Sequence, residues 1–572
     1  MKVFKAPVFI VAAAALLLIT FAALQPERRP VYARPVDFPI TMCGSLSLSD
    51  QYWNSPVVLS EGLGDLHYAI TTKAPMAQKY FDQGLRLVYG FNHVEALKSF
   101  REASRLDPSS AMTYWGQALT LGPNINDWNP KAREAMAQEA ISKAKELGVG
   151  SSQKERDLIL AMASRYDGKA YDDRGPLNVA YRTAMEKLTK KYPDDPEALV
   201  LYADAIMTSM PWDYWNADGS PKPLTSLART ALETAIKKHP RHPGAHHMYI
   251  HLVEASNKPS DAGKSAEFLE TAMPAAGHIV HMPSHIYVRI GEYEKSNASN
   301  RLAVKADEEF LAGSSDQGLY RMGYYPHNID FLTFGALMNG QSEMAMSEAQ
   351  KLAYHVKALE TIMPSYYDYY TPTPILAMVR YGKWEQILAL PQSDDRYYQL
   401  AATHHYARGT AFLRLGKLPE AEVELHKLDS INSLDTLKTI YTFFNSTNQI
   451  TTVATNLLKG EVLLAQKKTS EGMDALKAAV KAEDALRYNE PPDWRLPARH
   501  FLGAVLLEAG RYDEAEKVYT EDLVKNPGNG WALQGLAMCQ QKLGKSKEAE
   551  VTLSQLSKTW KNADVKISSS RF

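Results

Sequence analysis

Cysteine is almost missing: the 572 residues contain 2, Cys43 and Cys539. They lie nearly a chain length apart and neither sits in a CxxC. That excludes a disulfide framework, a thioredoxin-like redox pair and a thiolate zinc site. An excess of one charge is also lacking. Lys and Arg number 64 against 65 Asp and Glu, a formal net charge of −1, so neither nucleic acid nor an anionic membrane surface is an expected partner. Strand signals are nearly absent, with no alternating Val/Ile/Thr runs bounded by Asn-Gly or Asp-Gly turns. There is no GxxxxGK[ST], no GxGxxG opening a βα unit and no GxSxG, which removes support for nucleotide binding and serine-hydrolase chemistry. What is present is ordinary globular composition, 45% hydrophobic and 23% charged.

The long apolar run stands at the N-terminus. Lys2 and Lys5 precede the uncharged stretch Ala6–Leu24, which is close to the ~20 residues that cross a bilayer. Export of everything after residue 25 is expected, into a bacterial periplasm or cell envelope. Residues 1–25 are either a cleaved signal peptide or an inner-membrane anchor formed by residues 6–24, and the membrane is met only there. Residues 26–75, rich in Pro and Ser, read as a linker or irregular cap.

Self-similarity organises the rest. Tyr89-Gly90 leads into HVEALKSFREASRLDP (93–108), Gly291-Glu292-Tyr293 into EKSNASNRLAVKAD (294–307), and Gly510-Arg511-Tyr512 into DEAEKVYTEDLVKNP (513–527). Weaker copies begin at Gly340, Gly382, Gly416 and Gly544. In each, a helix ends near a glycine whose access to positive φ permits a tight turn. A small residue (Ala96, Ala421, Ala515, Ala549) then marks close packing of the next helix. The pattern resembles the tetratricopeptide repeat, a helix–turn–helix unit. The expected fold is all-α: one continuous right-handed solenoid over residues 76–560, followed by a tail over 561–572. Length then counts repeats rather than separate domains.

Histidine is distributed unevenly, with half of the 16 falling between residues 239 and 285. In HPRHPGAHHMYIHLVE (239–254), Pro243 suits a helix start, so His247 and His251 stand one turn apart on one face with Glu254 nearby. Two imidazoles at this spacing and a carboxylate converge on a transition metal. The residue after His247 is Met248, not the Glu of HExxH, so zinc-protease chemistry is unsupported. In GHIVHMPSHIYVRIGEY (277–293), Pro283 opens a helix with His285 in its first turn and His281 just before it. Arg289, one turn on, is placed to hold an anion or orient a carboxylate. YRMGYYPHN (320–328) adds His327 and Asn328 about one repeat later. Nitrogen and oxygen ligands favour Zn, Fe, Cu or Mn.

The chain also resembles a set of exported bacterial tetratricopeptide-repeat proteins of similar length. The resemblance rests on FNHVEALKSFREASRLDPSSAMTYWGQALTLGPNIN (91–126), HPGAHHMYIHLVEAS (242–256), GHIVHMPSHIYVRIGEY (277–293), YYPHNIDFL (324–332) and EPPDWRLPARHFLGAVLLEAGRYDEAE (490–516). It fixes no activity but implies a shared site beyond the scaffold, at His93, Trp115, Asn124, His247, His251, His281, His285, His327 and Trp494. His246 departs from it, standing where a smaller amide side chain is expected. The Pro-Pro of 490–494 holds an extended insertion whose Trp494 either covers a groove or staples two repeats.

Two functions follow. The first is a solenoid that binds a peptide, protein or small ligand on its concave face without turnover, with His93, Trp115, Asn124, Asn328 and Trp494 as contacts. The second is a hydrolytic or oxidative enzyme. In it one transition metal is held by His247 and His251 with His278, His281, His285 or His327, and Glu254 or Arg289 assists catalysis.

Overall fold

A computed structural model describes residues 57–216, 218–314, 318 and 320–572. The apolar segment 6–24, most of the proposed linker and Cys43 lie outside them. Every regular element among the described residues is helical, from Pro75–Tyr89 to Ser546–Thr559, with β-pairing limited to isolated bridges. No described helix is long and apolar enough to cross a membrane. Successive helices pair as antiparallel hairpins, and one apolar cluster runs unbroken from Leu63 to Cys539. This is the solenoid expected from the repeats.

The turn chemistry explains the hairpins. Gly291, Gly340, Gly382, Gly416, Gly510 and Gly544 all adopt positive φ, where a side chain would be strained. Ala96, Ala421, Ala515 and Ala549 are buried where the second helix of each pair crosses the first. The first copy departs from this pattern. Gly90 has φ −88°, and the left-handed position is taken by Phe91, at φ 55°. A non-glycine residue there costs about 1–3 kcal/mol and marks a place to look for function. Trp212, at φ 58°, is a second such residue. Both turn out to border the same site.

Both ends of the described chain fold back onto the array. Residues 57–74 run irregularly along helix Pro75–Tyr89, with the Ser60 amide donating to Gln83 (2.7 Å) and the Tyr68 amide to Asp82 (3.1 Å). At the C-terminus, Asp564 accepts from the amides of Ser342 and Glu343 at the start of helix Ser342–Val356. The Ser570 hydroxyl donates to the His500 carbonyl (2.6 Å), and Phe572 packs on Trp531. The segment 561–572 therefore clasps helices distant in sequence.

Candidate metal centre

Four central helices converge. Helix Pro243–Val253 is buried along its whole length and starts on Pro243, with the His242 ring accepting from the Ala245 amide (3.1 Å). Gly244 lies against Tyr89: a Cβ there would come within 2.3 Å of the Tyr89 ring. That closeness lets the Tyr89 carbonyl reach His247 Nδ1 at 2.6 Å. Short helices Gly277–His281 and Pro283–Ile290 supply His278, His281 and His285. A wide π-type turn, Tyr320–Tyr324, leads into helix Tyr325–Asn339, which supplies His327.

The hydrogen bonds fix tautomers. His247 Nδ1 faces a carbonyl, which only accepts, so the proton sits on Nδ1. His281 Nδ1 meets Asn300 Oδ1 at 2.6 Å, while the Asn300 amide nitrogen is engaged with the Ser296 carbonyl. His285 Nδ1 lies 2.6 Å from Glu254 and 2.8 Å from Glu490. His251 Nδ1 lies 3.3 Å from Glu254. Each of these rings spends Nδ1–H on an oxygen and turns Nε2 inward, as histidines do when they ligate a metal.

The inward nitrogens meet in two places. Nε2 of His247 lies 3.1 Å from Nε2 of His278, and Nε2 of His281 lies 2.8 Å from Nε2 of His285. Two ligands on one ion at ~2.0–2.1 Å are separated by about 2.9–3.4 Å, a spacing that the first pair meets, whereas the second is at hydrogen-bond distance. One triad comprises His247, His251 and His278, and a second His281, His285 and His327; within each, one nitrogen per ring lies within 4.8 Å of the others. Ring centroids of His251 and His285 are 5.5 Å apart, and those of His278 and His281 6.0 Å. The single meeting point of imidazoles expected from sequence is thus resolved into two adjacent ones, with His278 completing the first. His251 Nε2 and His278 Nδ1 are buried without a protein hydrogen-bond partner, a costly arrangement for polar atoms.

Burial sets the charge states. It lowers His247, His278 and His281 well below the ordinary imidazole value and brings His327 to about 3, so these rings are neutral and carry free lone pairs. His285 is the exception. Burial opposes its charge, but Glu254 and Glu490 outweigh that and lift it to about 10. Burial likewise works against ionising Glu254, yet His285 and His251 hold it at about 2. Burial pushes Glu490 up to about 7.

A cavity of about 160 Å³ opens beside the histidines, reached by His251, His278, His285 and His327. Its walls are largely aromatic, including Trp212, Tyr324, Tyr366 and Phe443. Phe91 and Trp212, two of the left-handed non-glycine residues, border this region. The Phe91 ring stacks on His251 (5.9 Å, 7°) and His278 (5.2 Å, 17°), and Trp212 meets His251 edge-on at 5.2 Å.

The other residues singled out in the sequence take different places. His93 points to a separate small cavity with Arg165 and Asp204, its ring nitrogen on the Phe91 carbonyl. Trp115 is a core residue against Phe81. Asn124 accepts from the amides of Asn126 and Asp127 in a turn, and it is Asn126 that reaches the main cavity. His246 bonds to Ser265 and the Pro240 carbonyl, away from the triads. Arg289 donates to the Ser256 carbonyl and lies over the Tyr488 ring, outside the cavity lining. Trp494 is buried edge-on to Tyr406, a staple between repeats. Its insertion still matters, because Glu490 at its start reaches His285. Glu490, Asn126, Phe91 and Trp212 were not identified as site residues from sequence.

Asn328 turns away from the cavity and donates to Asp307 (2.7 Å), which also accepts from Tyr320 (2.7 Å). Burial lifts the Asp307 carboxyl to about 7 from 3.8. A carboxyl whose folded value is raised stabilises the fold fully at acid pH, and that contribution is lost as pH climbs from about 4 through 7. Asp307→Asn is therefore expected to flatten the pH dependence of stability. It should exceed the wild type by on the order of 2 kcal/mol at pH 8 and lose that advantage by pH 4.5, as read by denaturant titration. The Asn328 Oδ1, buried without a partner, is available to accept from the new amide once the side chain flips.

Residues 497–566 match the family model of the tetratricopeptide repeat. Tetratricopeptide repeats therefore build the C-terminal end of this solenoid. No curated protein matches the chain. Among solved structures, the dimer of human IFIT1 with m7Gppp-AAAA is 13% identical, covering 86% of this chain and 91% of that one at a TM-score of 0.30. The P58(IPK) TPR domain is 13% identical, covering 82% and 99% at 0.22. The APC/C hetero-tetramer Cut9-Hcn1 is 11% identical, covering 92% and 96% at 0.26.

Proposed function

We propose that this protein is a metal-dependent enzyme acting on a small molecule, with two transition-metal ions held by His247, His251 and His278 and by His281, His285 and His327. One observation carries the reading: His247, His251, His281 and His285 each spend Nδ1–H on an oxygen, and the six imidazoles fall into two adjacent groups with one nitrogen per ring within 4.8 Å of the others. In the metal-free chain a proton on His285 Nε2 bridges it to His281 Nε2, and a metal ion would take that proton's place. Three nitrogens per ion leave room for an exogenous ligand, as catalytic sites require. Such ions activate water or dioxygen, and all-imidazole ligation suits Zn, Cu or Fe. Glu254 and Glu490 orient His285 from behind and are positioned to move protons at the cavity edge. The N-terminal apolar run supports placing this activity outside the cytoplasm.

Solenoids of stacked helix pairs commonly bind partners on their inner face, and a passive ligand binder is the competing reading. Metal analysis separates them. The full chain, stripped with chelator and then offered Zn, Cu, Fe or Mn, is expected to retain about two equivalents of one of them after desalting. His251→Ala with His281→Ala is expected to retain none. Less than about a tenth of an equivalent of every metal would sink the proposal.

A further inference from the structure

The cavity beside the triads has a definite chemistry of its own. Its rim toward the metal centre is His251, His278, His285 and His327, and its walls include Trp128, Trp212, Tyr324, Tyr366, Tyr370 and Phe443. At about 160 Å³ it matches the size of apolar protein cavities of about 150 Å³ that take up benzene. It therefore has room for one six-membered ring with few substituents.

The charges around the cavity narrow the class further. Asp330 is ion-paired with Arg495 at 2.5 Å, and Glu254 and Glu490 are both engaged with His285. Each lining carboxylate has a cationic partner, but Glu254 and Glu490 share the one imidazolium of His285, and aromatic boxes elsewhere bind quaternary ammonium groups, so a quaternary ammonium probe is the sharpest competitor. An anionic carboxylate is disfavoured by desolvation, since most of the wall offers rings rather than donors. Flat aromatic walls favour edge-to-face contact with another aromatic ring over a puckered aliphatic one. Polar groups do occur at the histidine rim, where His251 Nε2 and His278 Nδ1 are buried without protein partners. A ligand hydroxyl directed there would gain a hydrogen bond, and beside a metal it would be a donor atom.

From these observations we infer that the cavity binds a small uncharged aromatic alcohol or phenol, with its ring in the aromatic box and its oxygen toward His251 and His278. The orientation rests on the metal reading, whereas the fit of the ring rests on the cavity alone. Phenol is the probe. Titrated into chelator-treated full-length protein, it is expected to bind one to one with a Kd of about 1 mM or tighter, by calorimetry or by quenching of tryptophan fluorescence. Cyclohexanol, benzoate and tetramethylammonium are each expected to bind at least about ten-fold more weakly. Phe443→Ala is expected to weaken phenol about ten-fold while leaving metal uptake unchanged.

The wild-type titration stands even if that variant does not fold. Absence of phenol binding up to about 10 mM, or a preference for tetramethylammonium or benzoate, would overturn the inference. If metal still loads at two equivalents in that case, the metal reading survives it. If instead phenol binds and no metal does, the cavity assignment stands and the proposed enzyme falls.

Discussion

Arg495→Met is expected to destabilise the protein by about 3–5 kcal/mol, the usual cost of stranding one member of a buried ion pair. Arg495 and Asp330 are each about as buried as side chains become, at 2% and 1% exposure. The guanidinium also donates to the carbonyls of Pro492 (2.8 Å) and Asp493 (2.9 Å) and lies over the Tyr369 ring. It thus ties the 490–494 insertion to helix Tyr325–Asn339, the element that carries His327. Burial already works against ionisation of Asp330, and Arg495 is the main opposing influence. Methionine fills much of the volume but leaves that carboxylate without its counter-charge. The double variant Arg495→Met, Asp330→Leu should recover most of the loss. About 1–2 kcal/mol would remain for the two carbonyls that no longer have a donor. Guanidinium denaturation of the four proteins in the cycle measures this, and a double variant no more stable than Arg495→Met would refute the ion-pair explanation.

The legible and illegible parts of the site divide along a physical line. His247 and His251 were readable because helix period and a proline start depend only on local sequence. His285 and His327 were readable for the same reason, each in the first turn of a Pro-started helix, and His281 from its place just before Pro283. Their division into two triads was not, because it depends on how four helices cross, and crossing angles are set by packing along the whole array. Glu490 lies 205 residues from His285, and nothing near it in sequence advertises a partner. Phe91 is instructive in a different way. The repeat pattern put the left-handed turn on Gly90, and the chain instead spends strain on a phenylalanine whose ring stacks on two site histidines. Trp115 departs in the opposite direction, and of the two readings of Trp494 the staple holds: large aromatics attract functional readings, but burial of their area in the core is the stronger pull. The fold itself was readable almost throughout, since glycine turns and buried alanines recur in several of the hairpins.

His285→Ala and His327→Ala are expected to cost the second metal point equally and the fold very unequally. Both imidazoles belong to that triad, and removing either leaves two nitrogens where three are needed, so retained metal should fall from about two equivalents to about one. The contrast lies in what each ring does in the metal-free chain. His285 sits between Glu254 and Glu490, 2.6 and 2.8 Å away, and all three side chains are at most 5% exposed. Its removal leaves two carboxylates facing each other in a buried site, which is expected to cost about 3–5 kcal/mol. His327 is neutral and forms no ion pair among those described. Its truncation creates a small gap beside a cavity already open, so the expected loss is about 1 kcal/mol or less. Denaturant titration in the presence of chelator reads the first quantity, and metal analysis reads the second. Equal destabilisation by the two substitutions would show that the Glu254–His285–Glu490 cluster does not carry the charge balance assigned to it. Undiminished metal in either variant would remove that histidine from the centre.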